Sequence, residues 1–384
     1  MNPTDLFPQR RPFAEITVGS HKLALLKDGR QAFPAMLAAI AQAKRTICIE
    51  TYILRSDRVG TQFAEALAAR ARDGVEVNLL YDAWGSSVAS GMLDRLHRAG
   101  ARTLAFHPLR FTGKRREIIG RLTRRDHKKT LIVDSSVGFT GGLNIADDYA
   151  PWEDGGADFR DTHLRIEGPA ATELEYFFLR TWRRGGGAPV DVMRYGGDRR
   201  SPDPGVHVLT SEERHGRHSI RLAYLGAIRA ARERIFITNP YFLPTIRILR
   251  ELGEAAKRGV DVRIMVAGTT DVPAVLYASR SIYEILLKAG ARLFEWRGRV
   301  LHAKTATIDG LWSTVGSSNL DYQSLRMNLE INAIIKGREF AASLEQMFEE
   351  DFAHCEEITS ERWLKRPLWM KAASWAAYLM RDWM

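Results

Sequence analysis

Apolar positions along the chain fall into two periods that succeed one another in a fixed order. Thr46-Ile-Cys-Ile-Glu-Thr-Tyr52 has strand composition, Thr61 to Asp73 carries apolar residues at helical spacing and stops at Gly74, and Val75 to Tyr81 returns to strand composition. This predicts a β-α-β unit. Some 185 to 190 residues later the order recurs: Arg234-Ile-Phe-Ile-Thr-Asn239, a helix from Ile246 to Arg258 closed by Gly259, then Val260 to Val266. Ala99-Gly-Ala-Arg102 returns letter for letter as Ala289-Gly-Ala-Arg292. Each half closes on an aromatic-rich amphipathic helix, Thr172 to Arg184 and Glu339 to Phe352, and Gly185 to Gly187 with Gly196 to Gly205 separates them. The fold class expected is α/β, a duplicated domain with a first unit over 1–190, a second over 205–360 and a tail over 361–384. Alternating strands and helices predict mainly parallel sheets, and two copies facing each other would enclose a cleft of approximate two-fold symmetry.

Composition narrows the setting. The 384 residues are 45% apolar and 27% charged, a globular balance. Cys48 and Cys355 are too few and too far apart for a disulfide framework or a cysteine zinc site, which points to a reducing compartment. No run approaches the roughly 18 apolar residues of a spanning helix, and Met1 to Phe13 lacks an apolar signal core, so secretion and a bilayer span are not expected. The formal charge of +10 makes nucleic acid, anionic lipid or another polyphosphate the first partners to consider.

The chemistry lies in a repeated motif. His127-Lys-Lys129-Thr-Leu-Ile-Val-Asp134 and His302-Ala-Lys304-Thr-Ala-Thr-Ile-Asp309 share the form H-x-K-x-x-x-x-D. Each lysine is followed fifteen residues later by an asparagine, in Gly141-Gly-Leu-Asn144 and Gly316-Ser-Ser-Asn319. One such match is weak; two in register, each with its asparagine, are strong. In an extended segment residues two apart point the same way, so His127 and Lys129 share a face, as do His302 and Lys304, whereas Asp134 and Asp309 have the opposite parity and are expected to face the core. Two imidazoles, two ammonium groups and two amides around one volume suit a phosphoryl group. One imidazole can attack phosphorus while the other protonates the leaving alkoxide. That chemistry calls for no metal or other cofactor, and no cluster at metal-ligand spacing is visible. A neutral nucleophilic imidazole needs an acceptor on its far nitrogen. Carboxylates about 30 residues downstream were sought for each histidine: Asp161 for His127 and Glu330 for His302.

These residues resemble the signature of the phospholipase D superfamily, from about Ala24 to Phe352. Glu50-Thr-Tyr52, Tyr81-Asp-Ala-Trp-Gly-Ser86, Asn239-Pro-Tyr-Phe242 and Val315-Gly-Ser-Ser-Asn-Leu-Asp321 are similar to bacterial cardiolipin synthases, most of all the B type, whose A-type relatives carry spanning helices ahead of the first domain. The resemblance implies two α-β-α sandwiches facing each other, a phosphohistidine intermediate, and transfer of a phosphatidyl group from phosphatidylglycerol to a second lipid's hydroxyl, giving cardiolipin and glycerol. By the family's assignment His127 is the nucleophile and His302 the general acid and then base. Lys129, Lys304, Asn144 and Asn319 hold the phosphate, and Asp134 and Asp309 give structural or electrostatic support. Phosphatidylethanolamine is a second candidate lipid. The alternatives within the superfamily are a lipid hydrolase and a nuclease; no aromatic stacking platform favours the latter.

A lipid reaction needs the cleft at a bilayer. The insertion between His107 and Asp126 mixes Arg110, Lys114, Arg115, Arg116, Arg121, Arg124 and Arg125 with Leu109, Phe111, Ile118, Ile119 and Leu122, as an anionic interface would favour. The tail from Leu368 to Trp383 reads as a short interfacial helix with three tryptophans and Lys371, Ser374 and Arg381 on a polar stripe. Together they predict a peripheral protein on the cytoplasmic face of a bacterial inner membrane. Oligomeric state is not legible.

Overall fold

The computed structural model describes residues 14–108, 124–196, 203–211, 218–270, 273–367, 370 and 374. The first half forms an eight-stranded sheet from β1 (Glu15–Val18), β2 (His21–Lys27), β3 (Thr46–Thr51), β4 (Glu76–Asp82), β5 (Arg102–Phe106), β6 (Thr130–Val133), β7 (Val137–Gly141) and β8 (Thr162–Glu167), in the order β1-β2-β8-β7-β6-β3-β4-β5. The second half forms another from β9 (Val206–Thr210), β10 (Arg234–Thr238), β11 (Asp261–Ala267), β12 (Arg292–Trp296), β13 (Thr305–Ile308), β14 (Trp312–Gly316), β15 (Ile331–Lys336) and β16 (Cys355–Ile358), in the order β16-β12-β11-β10-β13-β14-β15-β9. Strands β2 to β8 and β9 to β15 occupy matching places. β1 and β16 are additions at opposite edges. The repeat read in the sequence is therefore a duplicated α/β fold.

The sheets are not mainly parallel. Only β3-β4-β5 and β10-β11-β12 run parallel, joined by helices; the remaining pairs are antiparallel. The reason is local. β6 turns straight into β7 at Asp134 (φ 51°) and Ser135 (φ 60°), and β13 into β14 at Asp309 (φ 53°) and Gly310 (φ 59°), so the motif segment enters a hairpin instead of a crossover.

Helices cover the outer faces of both sheets. Asp28–Gln42 and Arg58–Arg72 bury Phe33, Leu37, Phe63 and Leu67 on the first sheet; Ser219–Ala230 and Ile246–Lys257 bury Tyr224, Ile228, Ile248 and Leu252 on the second. Asp57 caps the second of these helices, accepting from Gly60 N at 2.9 Å. Between the sheets lie Pro169–Arg184 and Arg338–Phe352, whose Phe178, Trp182, Phe340 and Phe348 share one apolar cluster with Ile132 and Val315 of the two sheets. That shared core makes one body of the two halves.

Beside this core the halves exchange backbone hydrogen bonds. His127 N donates to Leu329 O (2.9 Å) and Leu329 N to Arg125 O (2.9 Å); His302 N donates to Arg160 O (2.7 Å) and Arg160 N to Val300 O (2.8 Å). The Arg160 side chain, 2% exposed, is clamped by Asp351 (Nε to Oδ2, 2.9 Å) and pairs with Asp28 at 3.4 Å. Removing one partner of a buried ion pair strands the other. Arg160→Ala is expected to cost about 3–5 kcal/mol, read as a lowered denaturation midpoint with an unchanged slope; a loss below about 1 kcal/mol would refute the clamp.

Candidate active site

The site forms where the two motif segments approach across the half-to-half boundary. His127 and Lys129 lie in extended chain just before β6, and His302 and Lys304 just before β13. Alternation sends Lys128 the other way, into the inner core, where its Nζ meets Glu50 Oε1 at 3.0 Å. His127, His302, Asn144 and Asn319 line one cavity of about 660 Å³, with Tyr52, Tyr149, Tyr241, Asp321 and Ser324.

The orienting carboxylates are the predicted residues, but each serves the other histidine. His127 Nδ1 meets Glu330 Oε1 at 2.9 Å and Oε2 at 3.1 Å, while His302 Nδ1 meets Asp161 Oδ2 at 2.7 Å. The pairing within each half that the spacing suggested is thus corrected to a pairing between halves. The physical cause is the backbone exchange: Leu329 and Arg160, which hold the histidine backbones, immediately precede Glu330 and Asp161. An ionised carboxylate only accepts, so Asp161 puts the proton on His302 Nδ1, and Glu330 does the same for His127 when it is ionised; Nε2 is then left for a ligand.

Other groups sharpen the geometry. Ser317 Oγ donates to Glu330 Oε2 at 2.5 Å, and Tyr149 OH lies 3.3 Å from His302 Nδ1. The Tyr52 ring stands edge-on to His127 at 4.9 Å. Lys129 Nζ donates to His127 O at 2.7 Å, and Lys304 Nζ donates to His302 O. The Asn144 amide is engaged at both ends, accepting from Ile53 N (3.1 Å) and donating to Tyr149 OH (2.6 Å), whereas Asn319 Oδ1 is buried without a protein partner.

Burial dominates the electrostatics. It drives His127 well below the ordinary imidazole value, helped by the charges of Lys129 and Lys304, and it lowers Lys129 to about 7. Burial also lowers His302, with Lys304 adding to it and the Asp161 carboxylate pulling the other way. Glu330 is pushed up to about 8 by burial; Asp161, equally buried, is nonetheless held below the usual carboxylate range by His302 and Lys304. Asp321 rises to about 7, again through burial.

Asp134 and Asp309 are not brought into the site. Each sits at the far end of a four-residue strand, roughly 13 Å along the chain from the site, and neither faces the core. Asp134 accepts from the backbone N–H groups of Lys44, Arg45 and Thr46 (2.7–2.9 Å), and Asp309 from those of Arg232, Glu233 and Arg234 (2.8–3.0 Å). They pin the hairpin turn to the start of the neighbouring strand. The sequence reading passed over Tyr149, Ser317, Asp321 and Ser324. Only the register of Ser317 and Asp321 with Asn319 signalled them. The basic insertion (residues 109–123) and most of the tail beyond Pro367 lie outside the described residues. Among the described residues no group of histidine, cysteine and acidic side chains is placed to hold a metal, and no helix is long and apolar enough to cross a membrane.

Known proteins are similar to this chain in sequence and in fold. A family described as cardiolipin synthase, phospholipase D-like domain, matches residues 36–182 and 224–352. A cardiolipin synthase of Geobacillus kaustophilus is 32% identical, covering 97% of this chain and 76% of that protein; one of Clostridium perfringens is 34% identical, covering 89% and 72%. In structure the chain is similar to phosphatidylserine synthase of Haemophilus influenzae, with a TM-score of 0.73 at 13% identity over 99% of both chains. It is also similar in fold to polyphosphate kinase of Porphyromonas gingivalis, with a TM-score of 0.60 at 14% identity over 94% of this chain and 53% of that one.

The crossed pairing separates two kinds of carboxylate by experiment. Glu330→Gln is expected to lower kcat by roughly 10²–10⁴-fold, with KM little changed, as loss of an orienting carboxylate does. Asp309→Ala is expected to lower the melting temperature and leave the pH profile of kcat in place. Equal effects of the two on kcat at matched folded fraction would refute the distinction.

Proposed function

The chain belongs to the cardiolipin synthase family of phospholipase D-like proteins, and we propose from that membership that it joins two phosphatidylglycerol molecules into cardiolipin and glycerol through a phosphohistidine. It is a phosphatidyltransferase acting on phospholipids. The observation that carries the mechanism is the pair of imidazoles on one cavity, each with Nδ1 taken by a buried carboxylate of the other half, so that both Nε2 atoms serve one phosphoryl group.

In the first step His127 Nε2 attacks phosphorus, a P–N bond forms, and the bond from phosphorus to the leaving glycerol oxygen breaks as His302 gives that oxygen a proton. In the second, His302 takes the proton of the acceptor's hydroxyl, the acceptor oxygen bonds to phosphorus, and the P–N bond breaks to return neutral His127. Two features support this order. Burial and two lysines hold His127 neutral at pH 7, as a nucleophile requires, while the ionised Asp161 carboxylate offsets part of the lowering that burial and Lys304 impose on His302, which makes His302 the better proton carrier of the two. Lys129 and Lys304, fixed on the histidine carbonyls, supply positive charge for the phosphate oxygens. Phosphatidylethanolamine as donor or acceptor remains a second lipid within the same chemistry. On location, our proposal is a peripheral protein at the cytoplasmic face of a bacterial inner membrane, where anionic lipid attracts a chain of charge +10.

The test is incubation with phosphatidylglycerol vesicles, without added metal, followed by mass spectrometry of the lipids. Wild type is expected to yield cardiolipin and glycerol, and His127→Ala to yield neither; phosphatidic acid alone would mean a hydrolase, and no lipid change would overturn the reading. Because a lowered histidine must lose its proton to attack, the acid limb of kcat/KM is expected below pH 6.5, the usual imidazole value. A limb centred above 6.5 would contradict the electrostatics.

A further inference from the structure

Three arginines meet on the second half beside the cleft, and no carboxylate pairs with them among the described residues. Arg221 lies in the first turn of helix Ser219–Ala230, Arg247 in the first turn of Ile246–Lys257, and Arg326 at the end of Tyr322–Arg326. Their chain neighbours Ile220, Ile248 and Leu325 are buried in one apolar cluster, which places the three helices in one layer. The Arg221 guanidinium is held below its usual value by its burial and by the charges of Arg326 and Arg247. Several other guanidinium groups find acids, Arg30 with Glu153, Arg234 with Glu345 and Arg292 with Glu357; what sets this cluster apart is that its cations act on one another.

The cluster is unfavourable on its own terms. Two of the cations stand at helix N-termini, the wrong end of the dipole. Arg221 Nε and Thr245 Oγ1 are buried without hydrogen-bond partners, and Thr245, at the N-cap of Ile246–Lys257, gives that helix no side-chain cap. Donors and positive charge gathered without an acceptor are complementary to an anion, and guanidinium forks match phosphate. Leu222 and Ile246, 57% and 71% exposed, identify its source, because each adjoins an arginine of the cluster. Apolar side chains beside cations that no carboxylate pairs with, of which Arg326 lies over the Tyr322 ring at 5.2 Å, suit the surface of an anionic bilayer. They add nothing to the capture of free phosphate. Gln323 and Ser324, on the short helix that carries Arg326, line the catalytic cavity, so a surface held here meets the cleft.

We propose that Arg221, Arg247 and Arg326, flanked by Leu222 and Ile246, form a membrane-docking surface that takes the phosphate-bearing headgroups of anionic phospholipid and sets the cleft mouth against the bilayer. It rests on the phospholipid reading only for the choice of lipid.

The test compares the full chain with Arg247→Gln/Arg326→Gln, both exposed positions, and separately with Leu222→Ser/Ile246→Ser. Partition is measured by co-sedimentation with vesicles of phosphatidylglycerol in phosphatidylcholine, and turnover on a short-chain phosphatidylglycerol below its micelle concentration. The arginine variant is expected to bind the mixed vesicles about thirtyfold more weakly, near fivefold per cation at an anionic surface, while its turnover on dispersed lipid holds. The apolar variant is expected to lose partition as well. Partition equal to wild type in the arginine variant would overturn the proposal, as would a parallel loss of turnover on dispersed lipid. A thermal shift with inorganic phosphate that the arginine variant loses while vesicle partition holds would assign the cluster to a soluble anion and overturn it too. Should wild type make no cardiolipin, partition still reads out, so failure of the reaction and failure of the surface are told apart.

Discussion

Everything at the centre of this molecule depends on a reciprocal exchange between its halves. The backbone of each histidine is hydrogen-bonded to the residue just before the other half's carboxylate, and each imidazole then reaches that carboxylate with Nδ1. Neither half can complete its own histidine. A buried imidazole or carboxylate without its partner carries a heavy desolvation cost, so separating the halves would strand two such pairs at once. The aromatic core between the sheets and the Arg160 clamp hold the contact shut, and the same contact fixes where both Nε2 atoms point.

Burial does more than shield the site. In a low dielectric it weakens charges that have no counterpart, and here it brings Lys129 and Glu330 down and up to about 7 and 8, close to neutrality before any ligand arrives. A phosphodiester entering such a site brings the missing charge and restores the full positive charge of Lys129. The lysines do not need to search for it, because their ammonium groups are already held by the histidine carbonyls. Electrostatic stabilisation of this kind is strong because reorganisation has been done in folding.

The repeat itself was legible in the sequence because duplication leaves the same letters at the same spacing; His127, Asn144 and their counterparts all reach one cavity, and Lys129 and Lys304 lie behind it on the histidine carbonyls. The partner of each histidine was not, since Asp161 and Glu330 lie at similar distances downstream of their own histidines and spacing cannot distinguish a neighbour in the chain from one across a boundary. For Asp134 and Asp309 the structural role implied by resemblance agrees with the turn they hold, and only the expected core-facing orientation misled. A residue repeated in both copies answers a need common to both, and here that need is a left-handed hairpin corner tied to three amides, as the φ angles near +50° record. The parallel sheets anticipated from alternation hold only for β3-β4-β5 and β10-β11-β12, where helices make the crossovers; between β6 and β7 the turn is too short for any arrangement but antiparallel.

Duplication produces two equal histidines, and a transfer reaction needs unequal ones. The inequality enters through neighbours at equivalent places. Gly142 leaves room for Asp161, since a Cβ there would stand 2.1 Å from its Oδ1, whereas the matching Ser317 donates to Glu330. Tyr149 sits against His302, while the matching Ser324 turns to Asp321 and Glu330. The result is one imidazole facing a carboxylate held ionised and another facing a carboxylate whose charge burial opposes. The first can keep a proton and the second has less to stabilise one, so small side-chain differences suffice to divide proton carrier from nucleophile within a symmetric frame.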